Sequence, residues 1–93
     1  MMAKFKIDQV FKITNRGSVI SGDIIDGSIG QGDIIELEAD GRATKLKIRS
    51  VEFVDNRKNR TAKIGLMVGD IDDNTEKLLM TMSGQSVMVM RYE

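Results

Sequence analysis

Apolar and polar residues alternate over the first fourteen positions. Phe5, Ile7, Phe11 and Ile13 share one parity, and Lys4, Lys6, Asp8, Lys12 and Thr14 hold mostly the other. Period two is the mark of a strand with one face in a core, and it assigns Phe5 and Phe11 to that core. Asn15-Arg16-Gly17 reads as a turn. From Ser18 to Asp26 the apolar residues come in adjacent pairs, Val19-Ile20 and Ile24-Ile25, on either side of Gly22. A glycine inside such a run marks a bulge or a sharp bend. Gly27 to Gly32 forms a second turn region, and Asp33 to Glu38 a short strand.

Asp40-Gly41 is the strongest hairpin signal in the chain, because a type I′ turn needs positive φ at both central residues. Beyond it Thr44, Leu46 and Ile48 alternate with Lys45, Lys47 and Arg49. The apolar parity then slips by one to Val51 and Phe53, which predicts a bulge near Ser50. Asp55 to Arg60 is polar and loop-like. Thr61 to Val68 is a strand with Ile64, Leu66 and Val68 on one face, and Gly69 to Thr75 is an acidic turn. Thr75 to Met80 fits either a helical turn capped by Asn74 or Thr75 or a continued strand. Val87 to Tyr92 is the last strand. Nine glycines, no proline and no repeat or linker in 93 residues point to one all-β domain spanning 1–93. The expected architecture is a small closed barrel of six to seven strands, since closure hides sheet edges in so short a chain.

Composition narrows the chemistry. Without His or Cys the chain has no thiolate or imidazole for nucleophilic catalysis, disulfides or transition metals. No serine sits in a nucleophile-elbow pattern. The expectation is a non-enzyme with no cofactor. No apolar run reaches the ~20 residues of a membrane span, and no signal-peptide pattern follows Met1, so a cytoplasmic protein with no membrane role is expected.

One stretch is more specific. Arg16-Gly17-Ser18-Val19-Ile20-Ser21-Gly22, then Gly27-Ser28-Ile29, then Gly32-Asp33-Ile34-Ile35-Glu36-Leu37 closely resembles the second, β-barrel domain of translational GTPases such as elongation factor Tu. Ser50-Val51-Glu52-Phe53 and Ala62-Lys63-Ile64-Gly65-Leu66-Met67-Val68 continue the likeness more loosely. The resemblance implies a Greek-key barrel of the translation-protein type in which Gly17, Gly22, Gly27, Gly32, Asp40 and Gly41 shape turns and bends. It also implies a role in holding RNA, since in that family the glutamate matching Glu52 contacts the terminal adenine of tRNA. The sequence departs from the family at Asp23-Ile24-Ile25-Asp26, acidic where the family is basic, and at Lys63, where the family carries asparagine. No G-x-x-x-x-G-K-[ST] loop is present, so this chain alone is not expected to bind a nucleotide.

Charge is segregated although its sum is zero. Residues 42–63 hold eight basic and two acidic side chains, net +6, and the flanking segments are −3 each. Lys45, Lys47 and Arg49 fall on one strand face, with Arg57, Lys58, Arg60 and Lys63 in or beside the next loop. Together with Glu52 they form the candidate surface for RNA or a ribosome-associated partner; the plainer reading is a solvated face paired with neighbouring carboxylates. Asp70, Asp72 and Asn74 have the spacing of a calcium loop, but Thr75 and Thr81 stand where glycine and glutamate are required, and no metal is expected. Met80 and Met82, and Met88 and Met90, lie at strand spacing. They read either as core filling or, if Val87 and Val89 point inward, as an outward surface for a protein partner or self-association.

Overall fold

The computed structural model describes residues 2–39, 41–56 and 61–91. Seven strands and one helix follow in the order β1 (Met2–Ile13), β2 (Gly17–Asp26), β3 (Ile34–Ala39), β4 (Arg42–Lys47), β5 (Ser50–Asn56), β6 (Thr61–Gly69), α1 (Asp73–Thr81) and β7 (Ser86–Met90). The strands form one sheet in the order β4-β3-β7-β1-β2-β6-β5, and every neighbouring pair is antiparallel. The fold is thus mostly antiparallel β-sheet, as the alternation predicts. Its hydrogen-bonded ladder is not closed: β4 and β5 are its two edges.

Those edges are consecutive in sequence. The parity slip expected near Ser50 is a break at Ile48–Arg49, where the chain exchanges one partner for another. The Ile48 amide donates to the Asp33 carbonyl at 2.8 Å, and the Ile48 carbonyl accepts from Gly32 at 2.8 Å. One residue on, the Arg49 amide donates to the Met67 carbonyl on β6 at 2.7 Å. Ile48, fully buried, stays inside while the backbone crosses from the β3 side to the β6 side.

The core is built by inward parity: Phe5 and Ile7 from β1, Ile20 from β2, Ile35 and Leu37 from β3, Leu66 from β6 and Val87 and Val89 from β7. Leu79 of α1 completes it. Phe5 is core as expected, but Phe11 is only half-buried and stands outside the core cluster. A register shift between Ile7 and Gln9 inserts one residue and reverses the facing of β1, so that Val10 packs on the core instead.

Gly22 lies opposite Ile7, beside that shift. A Cβ there would overlap the Lys6 carbonyl oxygen and press on the Phe5 ring, so glycine is required by the close approach of β1 and β2. Gly17, Gly27, Gly32 and Gly41 all take the positive φ expected of turn glycines. Asp40, the other half of the predicted hairpin turn, lies outside the described residues, but β3 and β4 pair up to Ala39↔Arg42 across it.

Thr75 to Met80 is helical, within α1, and its N-cap is Asp72 rather than Asn74 or Thr75. The Asp72 carboxylate accepts from the Thr75 amide at 2.7 Å, which holds its pKa below the ordinary carboxylate value. Among the described residues, no acidic cluster is arranged to hold a metal, and no helix is long and apolar enough to cross a membrane.

Two outcomes follow. Gly22→Ala should cost about 2–3 kcal/mol, because the colliding atoms are backbone, and should lower the thermal midpoint by more than about 8 °C in a domain of this size; calorimetry measures both. The Asp72 cap stabilises α1 above the ordinary carboxylate value of 3.8 and is lost as pH falls through its depressed pKa. Protection of the Thr75 amide from hydrogen exchange should therefore fall in that acid range in the native chain and be pH-independent there in Asp72→Asn, which keeps a capping oxygen.

Candidate functional site

Strand β4 is an edge, and the chain beyond it turns away at Ile48–Arg49, so a cleft opens between β4 and the end of β6. Its volume is about 750 Å³, and Lys45, Lys47, Arg49, Val68, Asp70 and Ile71 are among the residues that line it. Three of the predicted binding residues are thus gathered around one concavity. Lys45 and Lys47 alternate outward along β4, with Leu46 between them packed on the core. Arg49 lies across Gly69, where a Cβ would collide with its guanidinium. Gly17 in turn abuts the Gly69 backbone with no room for a side chain. A floor of two glycines carries the arginine there. Among the described residues neither Lys45 nor Arg49 is in an ion pair.

The remaining candidates divide. Lys63 is not directed at the cleft: its ammonium is paired with Asp23 at 2.8 Å. That hydrogen bond, together with the Asp23 and Asp8 charges, raises its pKa. The two places where the sequence departs from the translational GTPase pattern, Asp23 and Lys63, are therefore each other's partners across β2 and β6. Glu52 is exposed on β5, but its carboxylate accepts from Arg16 at 2.9 Å. The same Arg16 nitrogen reaches the Met67 sulfur at 3.2 Å. Arg57, Lys58 and Arg60 lie outside the described residues, as does Tyr92.

Arg16 was not singled out by sequence. It shares a second cleft of about 460 Å³ with Arg49, Gly17, Gly69 and Asp70, so the cationic surface continues around the glycine floor. The signals in the sequence are its place before a turn glycine and at the head of the Arg16-Gly17 stretch. Phe53 is the other addition, 84% exposed in the middle of β5. It lies four residues along the chain from Arg49, roughly 13 Å at strand rise.

The methionines separate by element. Val87 and Val89 are buried, so Met88 points outward, and Met90 beside it is half-buried. Met80 and Met82 do not form a strand pair: within and after a helix they diverge, Met80 exposed and Met82 packed on the core.

No family model matches the chain, and no curated protein matches it in sequence.

Proposed function

We propose that this chain is a non-catalytic RNA-binding module that grips a single-stranded segment through the cleft lined by Lys45, Lys47 and Arg49. The observation carrying this reading is the convergence of those three cations on one concavity while Lys45 and Arg49 have no carboxylate partner among the described residues. Cations left unneutralised around a groove attract a polyanion and gain from counterion release. Phe53 supports a single strand over a duplex, because an exposed ring on a strand offers a face on which an unpaired base can stack. Arg16, already fixed by Glu52, lines the second cleft beside Arg49.

The likeness of the glycine pattern to the second domain of translational GTPases fits this reading. So does the fold, if the coiled sheet is regarded as a barrel whose seam is the Ile48–Arg49 corner. In this view the chain contributes a holding surface to translation or to a ribonucleoprotein, in the cytoplasm, and any nucleotide hydrolysis belongs to another protein. The engagement of Glu52 by Arg16 shifts recognition from a base edge toward phosphate.

Fluorescence anisotropy with a labelled single-stranded RNA tests the reading. Three engaged phosphates give a slope of about −2 in log affinity against log salt. Each of Lys45→Glu, Lys47→Glu and Arg49→Glu should weaken binding and flatten that slope. Affinity indifferent to salt and to all three reversals would end the proposal. Phe53→Ala should weaken binding by about 1–3 kcal/mol and leave the salt slope unchanged, which separates stacking from charge.

A further inference from the structure

The outward face at the sheet's centre carries a second pattern, which shares only Lys45 and Lys47 with the cleft. In register across β2, β1, β7, β3 and β4 stand Asp26, Lys4, Met88, Glu36 and Lys45. Their inward neighbours Phe5, Val87, Val89, Ile35 and Leu37 are buried, so this row faces away from the core. Its charges read minus, plus, neutral, minus, plus: the sequence of signs inverts about Met88. Two residues along each strand, on the same face, the row is apolar across Met2, Met90 and Ile34 and ends at Lys47 on β4. Met2 is 59% and Met88 36% exposed. None of the four charged side chains is in an ion pair among the described residues.

We infer that this face is a self-association surface, binding a second copy of the chain about a two-fold axis that runs along β7. Rotation about that axis carries β1 onto the place of β3 and leaves β7 facing β7. Adjacent strands are about 4.8 Å apart on either side. Lys4 then meets Glu36 of the second copy and Glu36 meets its Lys4, while Asp26 meets Lys45 at the margins. Met88 meets Met88, Met90 meets Met90, and Met2 meets Ile34, so the apolar row is covered by its own image. A symmetric dimer requires a surface complementary to itself, and inversion of sign about an uncharged centre meets that requirement. A foreign partner would have no need of such inversion, which is why the second copy is the occupant. The patch is well short of the ~20 residues a side of a stable interface, so the dimer dissociates on dilution.

Sedimentation velocity of the full chain over a dilution series reads the equilibrium. Native protein should shift from monomer to dimer as concentration rises. Lys4→Glu and Glu36→Lys should each weaken association by at least about tenfold, since like charges are brought together. The double exchange Lys4→Glu with Glu36→Lys restores the complement and should return affinity to within about threefold of native. Both substitutions are on the outward face, and circular dichroism checks that the fold is kept. The chain has no cysteine, so Met88→Cys, on the axis, should oxidise to a covalent dimer, whereas Lys12→Cys should not. A chain monomeric at every concentration, a double exchange no better than the single ones, or equal crosslinking from both cysteine variants would overturn the inference. Lys4, Met88 and Glu36 do not line the cationic cleft, so their failure would leave RNA binding untouched, and the reverse holds for Lys47 and Arg49.

Discussion

The fold depends on a single change of partner. At Ile48–Arg49 one continuous run of chain leaves β3 and joins β6, and three backbone hydrogen bonds fix the exchange within two residues. Backbone amides and carbonyls need partners, and at this corner the segment between the two edge strands finds them on the β3 side and on β6. Ile48 anchors that segment in the core, and its immobility gives Arg49 a defined direction over the Gly17–Gly69 floor. The cleft is the geometric remainder of this arrangement: where the chain has turned toward β6, β4 has no neighbour.

That constraint also explains how the positive middle segment is distributed. Lys45 and Lys47, before the corner, line the cleft. After it, Lys63 of β6 meets Asp23, and Glu52 of β5 draws in Arg16 from the β1–β2 turn. Exposed pairs of this kind add little stability. Their effect is on the surface field, because they neutralise charge at Lys63 and Glu52, while Lys45 and Arg49 stay outside any ion pair among the described residues. Net charge along the sequence is therefore a poor map of surface potential, and the partner strands decide which part of a basic run stays positive.

Much of the sheet was legible in sequence. Alternation located the strands, and the turn glycines at positions 17, 27, 32 and 41 adopt the backbone their contexts demand. What escaped had local causes. The inserted residue near Asp8 reverses the facing of half a strand, and nothing in its composition announces it, so Phe11 was assigned inward in place of Val10. The helix was left open because Thr75 to Met80 carries only a weak period, and its cap is settled by one carboxylate–amide bond. The cationic site was readable as to residue type but not as to membership: Lys63 sits within the basic run yet faces an aspartate forty residues earlier. Arg16 belongs to the surface although no run contains it.

The position of β7 has a bearing on how the molecule is made. This five-residue strand lies between β1 and β3, so the sheet's centre is supplied by the last of the described strands in sequence. Without it, the ladder separates into a two-stranded ribbon, β3 with β4, and a four-stranded remainder. An isolated ribbon is marginal in water. A nascent chain emerging from its N-terminus therefore holds a ladder in two pieces, linked at the Ile48–Arg49 corner, until residues near Met90 appear. Such late, long-range closure slows folding and exposes unpaired strands in the interval, which places the risk of misassembly in biosynthesis more than in the finished protein.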